Sequence, residues 1–168
     1  MSDYASRTLR DRHFTFYNPG NLIDRDLELV LVETIFPETN PIDYVPVYKF
    51  EMRQTGTAKK LGRISFRVAN TEDIILYAGH FGYDVVEQYR GHRYAARSCQ
   101  LLFPLAIKHG VDPLWITCNP DNLASRRTCE IAGGRLIEVV DLPPDNDQYQ
   151  DGERQKCRYR FGLQSSNY

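Results

Sequence analysis

"EQYRGHRYAARSCQLL", residues 87–102, is the stretch on which the fold turns. The run before it, "IILYAGHFGYDVV" (74–86), is β-branched and aromatic and reads as one long strand, its Gly79 and Gly82 marking a bulge or a close backbone approach. The run after it, "HRYAARSCQLLFPLAIKHG" (92–110), has helical composition and stops at His109-Gly110. The first amides of a helix have no intrahelical partner, and the helix dipole places partial positive charge there. A glycine at the turn, Gly91, lets an anion approach the main chain. The amides of Arg90 to Ala95, with the charges of Arg90 and Arg93, therefore suit a pyrophosphate. The plainer reading is a strand-to-helix turn with solvated arginines. The stretch has neither the second glycine and Lys-Ser/Thr of a P-loop nor the Rossmann glycine triplet.

Working outward, "LWITCN" (114–119) reads as a buried strand. "NLASRRTCEIAGG" (122–134) reads as a short helix, capped by Asp121 or Asn122 and ended by Gly133-Gly134. The strand–helix–strand unit from 74 to 119 implies a right-handed parallel crossover. Pro104 inside the helix implies a kink, because the Gln100 carbonyl loses its donor. Upstream, residues 1–26 form a polar and aromatic lead-in. Strands follow at "LELVLVETIF" (27–36), "VYKFEMRQ" (47–54) and "KLGRISFRV" (60–68). Between the first two, "PETNPIDYVP" (37–46) carries three prolines that break helix and ladder alike. Two final strands, "RLIEVVDL" and "CRYRFGL", flank the acidic loop "PPDNDQYQDGERQ". The expected class is α/β, more strictly mixed α+β: one largely antiparallel sheet with a parallel crossover and helices on its faces.

With 168 residues the chain makes one domain, 1–168, with its binding core at 74–134. A formal net charge of −1 argues against a nucleic-acid binder driven by phosphate contacts. The N-terminus lacks an apolar signal core and no run is long enough to span a membrane, so the expected location is cytoplasmic. The four cysteines show no CxxC pair, and reduced, partly buried thiols are expected rather than metal ligands.

Read as Gln88-Tyr89-Arg90-Gly91-His92-Arg93, the turn resembles the cofactor motif Gln/Arg-x-x-Gly-x-Gly/Ala of the GCN5-related N-acetyltransferases, the GNAT superfamily. "GYDVV" resembles that family's fourth strand, and "NPDNLASRRTCEIAGG" its fifth-strand-to-helix segment, closest to the RimJ/RimL-like branch. The resemblance implies acetyl-CoA as co-substrate, bound between splayed fourth and fifth strands, with no metal. It implies main-chain contacts from the fourth strand, with Val85 and Val86, to the pantetheine arm, the motif residues Gln88 and Tyr89 at the cofactor, and the amides of Arg90 to Ala95, including His92 and Tyr94, at the pyrophosphate; Tyr83 would line the pocket or, more simply, belong to the core. Asn119, Asn122 and Ser125 would contact the cofactor from the other wall. Arg93 stands where the family has Gly or Ala, and Cys129 where many members carry a tyrosine that protonates the departing thiolate. The ten residues 37–46 are too few for the two helices that cover the family's acceptor site, so the lid is reduced or absent.

Transfer to an amine requires a base and a proton donor for the thiolate. His80, on the fourth strand, is the expected base, or else a histidine bonded within the sheet. Glu51 is a second base candidate. Ser125 is a candidate partner of the thiolate, or a helix-turn hydroxyl. The expected activity is direct acetyl transfer in a ternary complex to a primary amine, small molecule or peptide. The alternatives are a non-catalytic CoA-binding or partner-binding module, and a nucleotide-binding protein using the same turn. Asp145, Asp147, Asp151 and Glu153 in the acidic loop would steer a cationic acceptor, or be a solvated surface. The missing lid implies an acceptor cleft that is open, or covered by residues 1–26 or by a second copy in a homodimer.

Overall fold

The computed structural model describes residues 14–36 and 45–164. The question of a lid at 37–46 falls almost wholly outside them. In chain order the strands are β1 (Leu22–Asp24), β2 (Leu27–Ile35), β3 (Val47–Gln54), β4 (Lys60–Arg67), β5 (Phe81–Val85), β6 (Leu114–Cys118), β7 (Arg135–Asp141) and β8 (Gln155–Phe161). The helices are α1 (Tyr94–Lys108), α2 (Leu123–Ile131) and the single turn α3 (Asp147–Gln150). Strands β1 to β5 form an antiparallel meander, and β6, β8 and β7 form a second antiparallel sheet. The class is the mixed α+β one expected, with its sheet divided between β5 and β6.

Alternation on β3 turns Tyr48, Phe50 and Met52 inward, and β4 adds Ile64 and Phe66. Helix α1 meets them with Ala96, Cys99, Leu102 and Ala106, a stripe of helical spacing, all essentially unexposed. Truncating Leu102 to Ala would cost about 2–5 kcal/mol. The helix runs through Pro104 without interruption. Gln100 and Pro104 both lie on its exposed face, where water serves the carbonyl the ring deprives. The described part of the lead-in is packed rather than loose. Phe16 meets the Tyr48 ring edge-on at 5.0 Å, and Phe14 stacks on His109 at 5.2 Å.

One expected element is wrong in type. Residues Ile74–Ala78 form a π-helical turn instead of the first half of a strand. The Thr71 hydroxyl and carbonyl accept the Ile74 and Ile75 amides, which starts a turn, and Gly79 at φ 74° ends it. An apolar run of this length fits a buried helix as well as a strand.

Beyond that turn β5 and β6 are pinned at their beginnings. The His80 amide donates to Trp115 O at 2.7 Å, and the Trp115 amide donates to His80 Nδ1 at 2.9 Å. Thr117 Oγ1 donates to Tyr77 O at 2.7 Å. Glycine is required at 79 because a Cβ there would sit 3.0 Å from the Thr117 amide. Past the pin, among the described residues, β5 pairs only with β4 and β6 only with β8. The two strands part, and a gap opens through the sheet.

Candidate functional site

On one side of the gap lies a cleft of about 510 Å³. Its floor is the end of β5, its rim the loop into α1, and its far wall α2. A 3₁₀ turn at Glu87–Tyr89 uses the Tyr89 and Arg90 amides, bonded to Val86 O and Glu87 O. Gly91 then takes φ 92° and Arg93 takes φ 61°. Among the described residues, the amides of Gly91 to Ala95 have no protein acceptor. The donor set is thus one residue shorter than the sequence suggests, since Arg90 N–H is already used. Nothing lies within 4 Å of a Cβ built on Gly91, so the cleft is open above it.

Two arginines shape this loop without facing the cleft as free charges. Arg90 folds back, its Nε donating to Val85 O at 3.0 Å. Arg97 donates to Asp24 Oδ2 and Asp26 Oδ1, each at 2.6 Å, and Tyr94 Oη donates to Asp26 Oδ2 at 2.9 Å. Arg97 and Tyr94 together hold the Asp26 carboxyl down to about 2. Arg97 Nη1 also donates to His92 O at 3.4 Å.

Of the residues expected at the cofactor, Tyr83, Val85, Tyr89, Arg90, Gly91, Arg93, Tyr94, Ala95, Asn122 and Ser125 line this cleft. Val86, Gln88 and His92 do not, and Asn119 lines the gap beyond. Sequence reasoning missed Arg127, Thr128 and Ile131 on α2. The signal was available: Asn122 Oδ1 caps the helix by accepting the Ser125 amide at 3.1 Å, which fixes the phase. Residues at helical spacing from Ala124 then share one face.

The gap itself is a cavity of about 210 Å³ whose walls include Phe81, Gly82, Tyr83, Thr117, Cys118 and Ser125. Tyr83 and Ser125 line both it and the cleft. Tyr83 Oη lies 2.9 Å from Ser125 Oγ and 3.7 Å from Cys129 Sγ. Burial raises the phenol well above its ordinary range. Cys129 is fully buried, and its contact with Cys118 and its burial both raise it. The thiol held lower is Cys118, through Cys129 first and then Ser125 and the nearby Arg126 and Lys156. All four cysteines are free.

On the far side the gap opens into a cleft of about 690 Å³, sharing Arg67, Ala78 and Gln148 with it. Glu72, Asp73, Asp145 and Asp147 line this second cleft. Asn146 Nδ2 bonds Asp73 Oδ1 at 3.3 Å and Gln148 Nε2 bonds Tyr77 O at 3.4 Å, which moors the acidic loop to the π-turn. Asp151 is outside the cleft, and Glu153 is paired with Lys156 at 2.6 Å. None of residues 14–26 lines it, so the described lead-in is not its cover.

His80 lies away from both clefts and the gap. It is 0% exposed and lines none of the three cavities. Nδ1 accepts the Trp115 amide and Nε2 lies 3.1 Å from Asn70 Oδ1, so both ring nitrogens are engaged. Burial pushes its imidazole down to about 4. This is a bonded histidine that joins β5 to β6. Glu51 also lines none of the three; it is paired with Arg53 at 2.8 Å and Lys60 at 3.9 Å. Among the described residues no helix is long and apolar enough to cross a membrane, and no cluster of metal-ligating side chains occurs.

A family model described as an acetyltransferase (GNAT) domain matches residues 3–135. Solved structures of the same fold include an acetyltransferase (GNAT family) from Bacillus anthracis, at 20% identity over 68% of this chain and 66% of that one, TM-score 0.53. A second is the microcin C7 self-immunity acetyltransferase MccE in complex with acetyl-CoA and AMP: 18% identity, 69% and 61% covered, TM-score 0.53. A third is RimL, a ribosomal L7/L12 alpha-N-protein acetyltransferase, with CoA as a disulfide to one of its cysteines: 14% identity, 84% and 97% covered, TM-score 0.60. The chain thus spans less than two thirds of the first two proteins and nearly all of the third. No curated protein matches the chain in sequence.

Proposed function

The chain belongs to the GNAT acetyltransferase family, and from that premise we propose that it moves an acetyl group from acetyl-CoA to a primary amine by direct transfer in a ternary complex. One observation carries the reading: the gap between β5 and β6 joins two clefts of opposite character, and both are needed at once. The amides of Gly91 to Ala95 receive the pyrophosphate, with Arg93 and Arg127 at the rim. The edge of β5 past Tyr83, unpaired toward β6, offers main-chain groups to the pantetheine arm. The donor substrate supplies the activated acyl group, and the gap is where that group meets the acceptor.

The amine enters from the acidic cleft. Holding it there at the gap lowers the entropic barrier of a two-substrate reaction. No histidine lines any of the three cavities. The amine's proton therefore leaves through water toward the cleft carboxylates rather than to His80 or Glu51. A protein or peptide amine is the acceptor class that the RimL likeness favours, since that protein's name states such a substrate.

The test is release of free CoA thiol from acetyl-CoA with a panel of primary amines that includes peptides. Amine-dependent release is expected. Tight CoA binding without any amine-dependent release would instead favour the non-catalytic module, a reading supported by the cysteine at position 129.

A further inference from the structure

Thioester aminolysis leaves a thiolate, which departs far more readily when a donor meets it. In this chain α2 offers a thiol, Cys129, that is sealed in the core and held protonated. The nearest hydroxyls come as a pair from opposite walls. We propose that Tyr83 is a catalytic residue whose hydroxyl donates to the departing sulfur, with Ser125 replacing the proton; this rests on the acetyl-transfer reading above.

Tyr83 and Ser125 line both the CoA-side cleft and the gap. A thioester that reaches from the cleft into the gap passes this pair, and its sulfur lies against Tyr83 Oη. The pair is rigid from both sides. Tyr83 is held in ladder register opposite Ile64, and Ser125 sits in the first turn of α2 under the Asn122 cap. The Oη–Oγ separation of 2.9 Å is a working hydrogen bond, and Cys129 Sγ at 3.7 Å from Oη marks where the ring stops. The phenol thus enters from β5 to the spot above residue 129 of α2. Burial keeps it protonated, as a donor must be.

The atoms balance without a co-reactant. The amine nitrogen bonds the acyl carbon and the carbon–sulfur bond breaks with its electron pair on sulfur. Tyr83 Oη gives its proton to sulfur, Ser125 Oγ gives its own to Tyr83, and water in the gap restores Ser125. The amine loses one proton to water, so the products are an amide and a thiol.

The same contact acts on the product, so it can be read without turnover. CoA labelled with carbon-13 beside its sulfur reports the thiol pKa by chemical shift. In the wild-type complex that pKa falls below the value in free CoA, because a donor stabilises the thiolate. Tyr83→Phe, which keeps the ring, returns it to the free value while CoA affinity by calorimetry changes less than about twofold. Its kcat falls about 100-fold, in the range of a lost proton donor, with the acetyl-CoA KM nearly unchanged. Ser125→Ala gives a smaller loss of kcat. Identical thiol titrations in wild type and Tyr83→Phe would overturn the proposal, as would a kcat loss matched by an equal loss of CoA affinity. If the titration differs as expected but no amine is acetylated, the sulfur contact stands and the activity reading fails.

Discussion

The two mouths of the channel are built from opposite materials. The CoA-side mouth is lined by Arg90, Arg93 and Arg127 against one carboxylate, Asp84, and adds unpartnered amides at a helix start. The acceptor-side mouth is lined by Glu72, Asp73, Asp145 and Asp147 against one cation, Arg67. The means also differ. On the basic side Arg90 is turned back on β5, so much of the attraction is fixed backbone that cannot titrate or rotate. On the acidic side the field comes from exposed side chains, which salt screens and which act mainly on encounter rate. On the proposed reading, the first mouth holds one anionic shape and the second gathers cations of many shapes.

The largest effect should come from the residue that belongs to neither mouth. His80→Ala removes the ring's bonds to the Trp115 amide and to Asn70, leaving only the main-chain bond and Thr117 to pin β5 to β6, and should cost roughly 3 kcal/mol, a buried polar network broken. Both mouths should weaken together while the acid limb of the pH–rate profile stays where it was. A vanished acid limb would restore His80 as a base. The pH dependence has a definite sign. The folded imidazole titrates at about 4, below its ordinary 6.5, so the unfolded chain takes the proton first. Stability is full above pH 6.5 and is lost as pH falls from there toward 4, by roughly 3 kcal/mol. Thermal melts of His80→Ala should lose that part of the slope.

Next, Gly91→Val should weaken CoA at least tenfold, about 1.4 kcal/mol, because φ 92° is denied to a β-branched residue. Transfer from acetyl-CoA at saturation should suffer much less. Unchanged calorimetric affinity in a folded variant would mean the backbone is not what binds the anion. A several-fold effect is expected from replacing Glu72, Asp73, Asp145 and Asp147 with their amides. kcat/KM for a polycationic amine should fall at low salt and CoA affinity should hold. A rate independent of salt in the wild type would break the comparison on its acidic side.

The smallest effect tests a strained residue. Arg93 holds φ 61° at the start of α1, a left-handed conformation that costs about 1–2 kcal/mol in a residue with a Cβ. Arg93→Gly should raise Tm by a few degrees, on the order of 2–4 °C per kcal/mol at this chain length. It should also weaken CoA through the lost charge. A lower Tm would show that the arginine side chain compensates its own backbone.

What could be read from the sequence was what local punctuation sets. Gly91 before a helical run, and Asn122 before another, each fix a turn within a few residues, and the cleft walls follow from them. What escaped was set across long separations. The Tyr83–Ser125 contact spans 42 residues and the His80–Trp115 pin spans 35. Nothing near His80 in sequence says that a strand 35 residues away will occupy its ring nitrogen. Glu72 and Asp73 were missed for the same reason. They join Asp145 and Asp147 only because a π-turn, where a strand was expected, brings that segment against the later loop.

Arg97 also sets a timetable for folding. Its bonds to Asp24 and Asp26 close loops of 73 and 71 residues, and its bond to His92 O ties the loop proposed to bind CoA to the same clamp. Helix α1 rests on local contacts and is expected to form early, whereas the clamp at its start needs the β1–β2 hairpin in place. Refolding followed by two probes should show helix signal ahead of CoA binding. The chain should become foldable-looking before it becomes competent.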